Sequence, residues 1–129
     1  MTRHNKRTDS NQAQMVKDLR KEGVCVVDLS GCARGITDLA LWKCGITVFC
    51  EVKVKDSSAV VKKSQVRFLS EWRGNCGIAR SLEDALNMVN DPENYCLTQA
   101  QKDKLAVYYQ SMSAPAVALN VLEKVYGKV

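Results

Sequence analysis

The sequence predicts a mixed α/β domain, and three features carry that expectation. Apolar residues recur at helical spacing within residues 11–22 and 64–73. Compact β-branched runs stand at Val24-Cys25-Val26-Val27 and across residues 46–55. Glycines fall at the borders between these stretches, where neither periodicity is sustained. With 129 residues and 14.3 kDa the chain has room for one domain with one core.

In the first helix Met15, Val16 and Leu19 share one stripe, while Lys17, Asp18, Lys21 and Glu22 point outward. Ser10 or Asn11 is placed to cap this helix and Gly23 to end it. The run from Val24 to Val27 then reads as a buried strand, and Ser30-Gly31-Cys32-Ala33-Arg34-Gly35 as a loop. Residues 36–42 and 46–55 are two further strands, joined by Lys43-Cys44-Gly45, a gap short enough for a hairpin turn. Residues 56–63 are polar and basic and read as a loop. Val66, Leu69 and Trp72 mark the next helix, with Gly74 as its stop. Ile78-Ala79-Arg80 is a short strand, and a helix capped by Ser81 runs to Val89 before Asp91-Pro92 breaks it. Two more helical segments flank Pro115. The expected organisation is a core over residues 1–92 and a helical tail over 93–129, packed on that core or on a second subunit.

A net charge of +5 and a pI near 8.9 favour an acidic partner such as nucleic acid or anionic lipid, without choosing between them. The polar opening MTRHNKRTDSNQ cannot serve as a signal-peptide core. No apolar run approaches the ~20 residues of a membrane helix. The expected address is therefore the cytoplasm, that of a host cell if the protein is virus-encoded. The 6 cysteines include no Cys-x-x-Cys pair, and the single histidine, His4, lies in the polar opening, which argues against structural zinc. Cys25 and Cys50 sit inside apolar runs and read as small buried hydrophobes. Without a secretory signal, disulfides are not expected.

The chemistry concentrates in residues 35–55. A hairpin turning between Cys44 and Gly45 pairs Lys43 with Ile46 and sets Asp38 directly opposite Glu51, with Cβ atoms about 4.5–5.5 Å apart. Two like charges at that spacing repel each other, and a divalent cation between them turns repulsion into coordination. Magnesium suits such a place, because it binds through one or two carboxylates, keeps several waters and accepts phosphate oxygen. Lys53, two residues beyond Glu51, faces the same way roughly 6.5–7 Å further on. Its ammonium is placed to hold an attacking water or offset phosphate charge. Ile46, Val48, Cys50, Val52 and Val54 make the opposite face wholly apolar. An alternating Glu/Lys face is also what the solvated side of an antiparallel sheet presents; the opposed acid is what sets this one apart.

In this order of residues the chain resembles the PD-(D/E)XK nuclease superfamily, and more narrowly its stand-alone, virus-type VRR-NUC members. The matching features are Gly23, Gly35-Ile36-Thr37-Asp38, Glu51-Val52-Lys53 and Gln65, followed by residues 77–85 as a closing strand and helix. The likeness spans about residues 6–90. It implies a restriction-endonuclease-like core, a mixed central sheet flanked by helices, with Asp38, Glu51 and the Val52 carbonyl as metal ligands. It implies Lys53 as the catalytic lysine, Gln65 as a support to the site or a phosphate contact, and Mg2+ as cofactor with Mn2+ as substitute. Two departures stand out. Thr37 occupies a position where the family often has proline. Many relatives place an acid on the first helix as a further ligand, where this chain has Asn11 and Gln12, with Asp9 just before. Asn11 would be either a weaker oxygen ligand or a helix cap, Asp9 either a ligand reaching in from the helix start or a cap, and Gln65 either a site residue or a polar first-turn residue.

Basic residues surround this stretch: Lys53, Lys55, Lys62, Lys63, Arg67 and Arg73, against Glu51, Asp56 and Glu71. Lys55, Lys62 and Lys63, with Arg34 in the loop before Asp38, are candidate contacts to a nucleic-acid backbone. No base-reading motif is visible, so recognition by shape is expected. The resemblance implies a homodimeric endonuclease of branched DNA, Holliday-junction-resolvase-like, with the tail near Tyr108, Tyr109 and Leu119 forming the interface or covering its own core. The rival reading is a catalytically weak or inactive nuclease-fold protein that binds DNA. A small-molecule α/β enzyme lacks support, since no glycine-rich phosphate loop or nucleophile motif is present.

Overall fold

The computed structural model describes residues 6–32, 35–53 and 59–128, with the backbone alone for residues 6–11. Helix α1 (Lys6–Lys21) leads through Gly23 into strand β1 (Cys25–Asp28). Strands β2 (Leu39–Lys43) and β3 (Ile46–Val52) form the hairpin, and β4 (Val60–Lys62) runs straight into α2 (Lys63–Glu71). Strand β5 (Asn75–Ala79), α3 (Leu82–Asn90) and the single turn α4 (Pro92–Tyr95) follow. The tail holds α5 (Gln99–Ser111), β6 (Ala116–Ala118) and α6 (Leu119–Tyr126).

The main sheet is mixed, in the order β1-β2-β3-β5, with β1/β2 and β2/β3 antiparallel and β3/β5 parallel. The hairpin turns at Cys44 (φ 51) and Gly45 (φ 83), two left-handed residues in succession. Such a turn matches the twist of the flanking strands and fixes their register. Lys43 faces Ile46 and Leu39 faces Cys50, so the next opposed pair outward is Asp38 with Glu51.

Both faces of the sheet carry apolar cover. On one face Val26, Leu39, Leu41, Val48 and Cys50 meet α1 through Val16 and Leu19, and α3 through Ala85, Met88 and Val89. On the other, Cys76 and Ile78 meet α2 (Val66, Leu69), α5 (Leu105) and α6 (Leu119, Leu122, Tyr126). The tail is thus part of the second core. It is also tied to the chain before α2, because β6 pairs antiparallel with β4 and Lys63 N donates to Pro115 O at 2.8 Å. Ser81 caps α3 by accepting from Asp84 N. Among the described residues no helix is long and apolar enough to cross a membrane.

Several local expectations change. Helix α1 begins at Lys6, so Ser10 and Asn11 lie inside it rather than capping it, and residues 116–118 of the tail, expected helical, form β6 because they pair with β4. Strand β2 starts at Leu39 rather than at residue 36, because side chains replace the ladder there. The buried Thr37 hydroxyl donates to Leu39 O, and Asp38 Oδ2 takes the Val52 N–H. Residues 60–62 are a strand and not loop, since their partner lies more than fifty residues away in the tail, out of reach of any local pattern. Cys25 is exposed, not buried; it alternates with the buried Val24 and Val26 and faces the side that α1 does not cover. Cys50 is buried as expected.

Cys44 holds a conformation that L-residues adopt at a cost of about 1–2 kcal/mol and that asparagine tolerates. Cys44→Asn is therefore expected to raise stability by about 0.5–1 kcal/mol and the thermal midpoint by about 2–4 °C in calorimetry. No change, or a loss, would mean that the turn differs from the one described.

Candidate active site

The hairpin delivers two acids to one place. Asp38 sits at the mouth of β2, anchored on both sides of its Cα: its carbonyl accepts from Leu29 N at 2.7 Å and its Oδ2 accepts from Val52 N at 3.0 Å. The carboxylate therefore stands against β3 beside Glu51. Glu51 is fully buried, in a strand whose parallel neighbour at that level is Ile78. Lys53, just past the strand, is held by its own N–H donating to Ala79 O at 2.9 Å. Its Nζ lies 3.1 Å from Glu51 Oε2.

That contact is an ion pair by distance only. Neither Glu51 Oε1 nor Oε2 has a well-directed hydrogen-bond donor among the described residues, although both atoms are buried. A buried charge without donors is costly, and the group responds by holding its proton. Burial comes first in pushing the Glu51 carboxyl up from 4.5 to about 7; the Asp38 charge adds to it, and Lys53 opposes. The two carboxyl groups are close enough for Asp38 to hydrogen-bond the protonated form. Two oxygens wanting a positive partner, an opposed acid and a nearby ammonium are a donor set that fits a hard divalent cation. Among the described residues no three of His, Cys, Asp and Glu converge, so main-chain oxygen and water would have to complete the shell.

Asp38 opens on a cleft of about 940 Å³ between the loop through Leu29, Ser30 and Ile36 and the start of α2 at Lys62, Lys63 and Gln65, with Pro115 from the tail on its wall. Gly35 (φ +81) closes the base of this loop, where a Cβ would lie 3.2 Å from Ser64 Cβ and 3.3 Å from Ser64 O. Both the backbone sign and the space call for glycine there.

The remaining predicted residues are placed as follows. Gln65 lines the cleft, and its Oε1 accepts from Lys62 N at 3.2 Å, half of a capping box; lysine has no acceptor to return the bond. Lys62 is exposed. Lys63 borders the cleft, but its Nζ donates to Met112 O at 2.8 Å and lies 5.1 Å from the centre of the Tyr109 ring. Gln12 is engaged by the loop after β1, donating to Asp28 Oδ2 at 3.3 Å and to Ser30 Oγ at 3.5 Å. Asn11 and Asp9 lie on α1 with side chains outside the described residues, and Arg34 and Lys55 lie outside the described residues altogether.

Sequence reasoning missed Asp28 and Ser30, which shape the cleft loop. Asp28 Oδ1 accepts from both the Ser30 N–H and hydroxyl, and the Ser30 hydroxyl above all holds the Asp28 carboxyl below its usual range. The Asp-x-Ser spacing after a strand was the available signal, an aspartate turning its own chain. No family model, curated protein or solved structure matches this chain.

The raised Glu51 group makes stability depend on pH in a defined direction. Below 4.5 the folded and unfolded chains both carry the proton and no penalty arises. Between 4.5 and about 7 the folded chain keeps a proton that the unfolded chain has lost, so stability falls as pH rises. Above about 7 the full penalty stands, on the order of 3 kcal/mol. In chelator, Glu51→Gln is expected to melt about 5–10 °C above the wild type near pH 8, with the gap closing toward pH 4.5. Parallel melting curves for the two across this range would contradict the burial of an unsatisfied carboxylate.

Proposed function

We propose that the chain is a divalent-cation-dependent DNA endonuclease with a restriction-endonuclease-like core. The observation that carries this reading is Glu51, a fully buried carboxylate with no well-directed hydrogen-bond donor among the described residues, facing Asp38 and with the Lys53 ammonium 3.1 Å from Oε2. A purely structural acid at this position would have been replaced at little cost by an apolar residue. The order of the main-sheet strands and the helices around them adds support: a helix, a three-strand antiparallel meander, a helix preceded by the short β4 of the second sheet, then a parallel strand and a further helix. That is the order the resemblance implies, with Asp38, Glu51-Val52-Lys53 and Gln65 at the corresponding points.

Asp38, Glu51 and the Val52 carbonyl would hold magnesium, or manganese in its place. Bound there, the ion supplies Lewis-acid polarisation of a phosphate ester and neutralises charge on it. The chain's own residues do the rest. Val52 N–H fixes the Asp38 carboxylate so that its second oxygen is available. The Lys53 ammonium orients the attacking water and offsets charge building on the phosphate. The low-dielectric surroundings of Glu51 strengthen both effects. Exposed Lys62, with Lys55 and Arg34, would contact the DNA backbone, a sequence-independent and salt-sensitive form of attraction. Branched DNA is the favoured substrate and a homodimer, with two sites for two strands, the favoured assembly.

The test is cleavage of a four-way junction with magnesium. Wild-type protein is expected to cut it. Glu51→Gln and Asp38→Asn should lower the rate at least 100-fold, and Lys53→Met by a similar factor, while junction binding measured in chelator stays within about 3-fold. A wild-type protein that binds junctions tightly but cuts none, with either magnesium or manganese, would transfer the assignment to DNA binding without turnover.

A further inference from the structure

The second face of the sheet is covered unevenly. Helices α2, α5 and α6 sit over β3 and β5, where Phe49 meets Phe68 and Trp72 at ring-centre distances of 5.6 and 4.7 Å. Over β1 and β2 the described residues leave the same face open. Cys25 is exposed, Val27 is 57% exposed and Trp42 is 48% exposed. Cys25 and Trp42 are opposed across the ladder, as are Val27 and Ala40. Among the described residues nothing covers this half-exposed indole or the two apolar side chains beside it.

This open strip leads to the acid pair. Residues 38, 40 and 42 alternate onto one face of β2, so Asp38, Ala40 and Trp42 share a side, with small Ala40 as the floor between them. The path from Asp38 to Trp42 is about 13 Å at ~3.3 Å per residue, the height of about four stacked bases at ~3.4 Å each. From Ala40 to Trp42 and across to Val27 and Cys25 the strip carries no carboxylate, on a chain of net charge +5.

We propose that the open β1–β2 face is a stacking platform for unpaired nucleobases, with Trp42 as the aromatic surface on which a DNA strand leaving the Asp38–Glu51 site is laid. The proposal takes its ligand, DNA, from the nuclease reading and narrows it to DNA with an unpaired strand. Three observations favour that occupant over a second copy of the chain. The platform is continuous with the acid pair. A flat indole recognises any base by its π face. And the outer edge of β1, the route by which a second copy would extend the sheet, is blunted: Arg20 Nη2 donates to Val26 O at 3.0 Å.

The chain contains 2 tryptophans, so Trp72→Phe leaves Trp42 as the sole indole reporter. In chelator, where no hydrolysis occurs, a twelve-nucleotide oligothymidylate is expected to quench Trp42 fluorescence in that variant as it binds. Trp42→Ala, in an otherwise wild-type chain, should weaken oligothymidylate binding about 5- to 150-fold, the value of one base–aromatic stack. Trp42→Phe should retain most of the affinity, and binding of a blunt duplex of equal length should be unchanged by either substitution. The platform is overturned if the strand binds without quenching Trp42, if it does not bind at all, or if Trp42→Ala binds it as well as wild type. It is equally overturned if that substitution only dissociates a dimer. Failure of the parent reading looks different: a protein that cuts no junction but shows the quenching keeps the platform and loses the hydrolysis, and one that cuts while Trp42 stays silent loses only the platform.

Discussion

The backbone ladder between β2 and β3 stops at Leu39 and Cys50, and one side-chain bond carries the pairing a step further: Val52 N donates to Asp38 Oδ2 at 3.0 Å. That bond spends one oxygen of Asp38 on the partner strand and leaves the other beside Glu51. It depends on a register set at the far end of the hairpin, where Cys44 and Gly45 both adopt positive φ. A slip of one residue would turn Glu51 onto the α1–α3 side and send Cys50 to the acid pair. Turn, register and carboxylate pair thus form one mechanical unit.

The two layers around the sheet divide the labour. The α1–α3 side is a plain apolar core. The other side combines aliphatic packing with the polar site, and it includes the tail, without which Ile78 and Leu69 would lack their partners Leu105, Leu119 and Leu122. Buried Lys102 on α5 extends the same logic to the end of α2. Its ammonium donates to Trp72 O and Gly74 O at 2.6 Å each, satisfying carbonyls that a helix terminus leaves open.

What could be read from the sequence follows from the range of the interactions concerned. The helices at α1, α2 and α3, the hairpin and the opposition of Asp38 to Glu51 rest on contacts within about fifteen residues, and each appears as a period, a cap or a turn pair. What escaped is long-range. Strand β4 exists because β6 meets it, and Lys63 turned out to grip Met112 and Tyr109, contacts that no window around residue 63 contains. The burial of Glu51 was only half visible. Alternation put it on the polar face of β3, but that α2 and the tail would cover this face was not written locally. Cys25 was misread for the same reason in reverse, since a β-branched run does not reveal which of its faces a helix will leave bare.

The pairing of β4 with β6 has a consequence for how the molecule comes into being. Residues 60–62 precede their partners at 116–118 by nearly half the chain, and synthesis proceeds from the amino end. The acid hairpin can therefore assemble while the wall that Pro115 contributes is still inside the ribosome. The cleft beside Asp38 gains its Pro115 wall only once residues 116–118 are present to pair with β4, so the hairpin that carries the two acids precedes the wall that faces them.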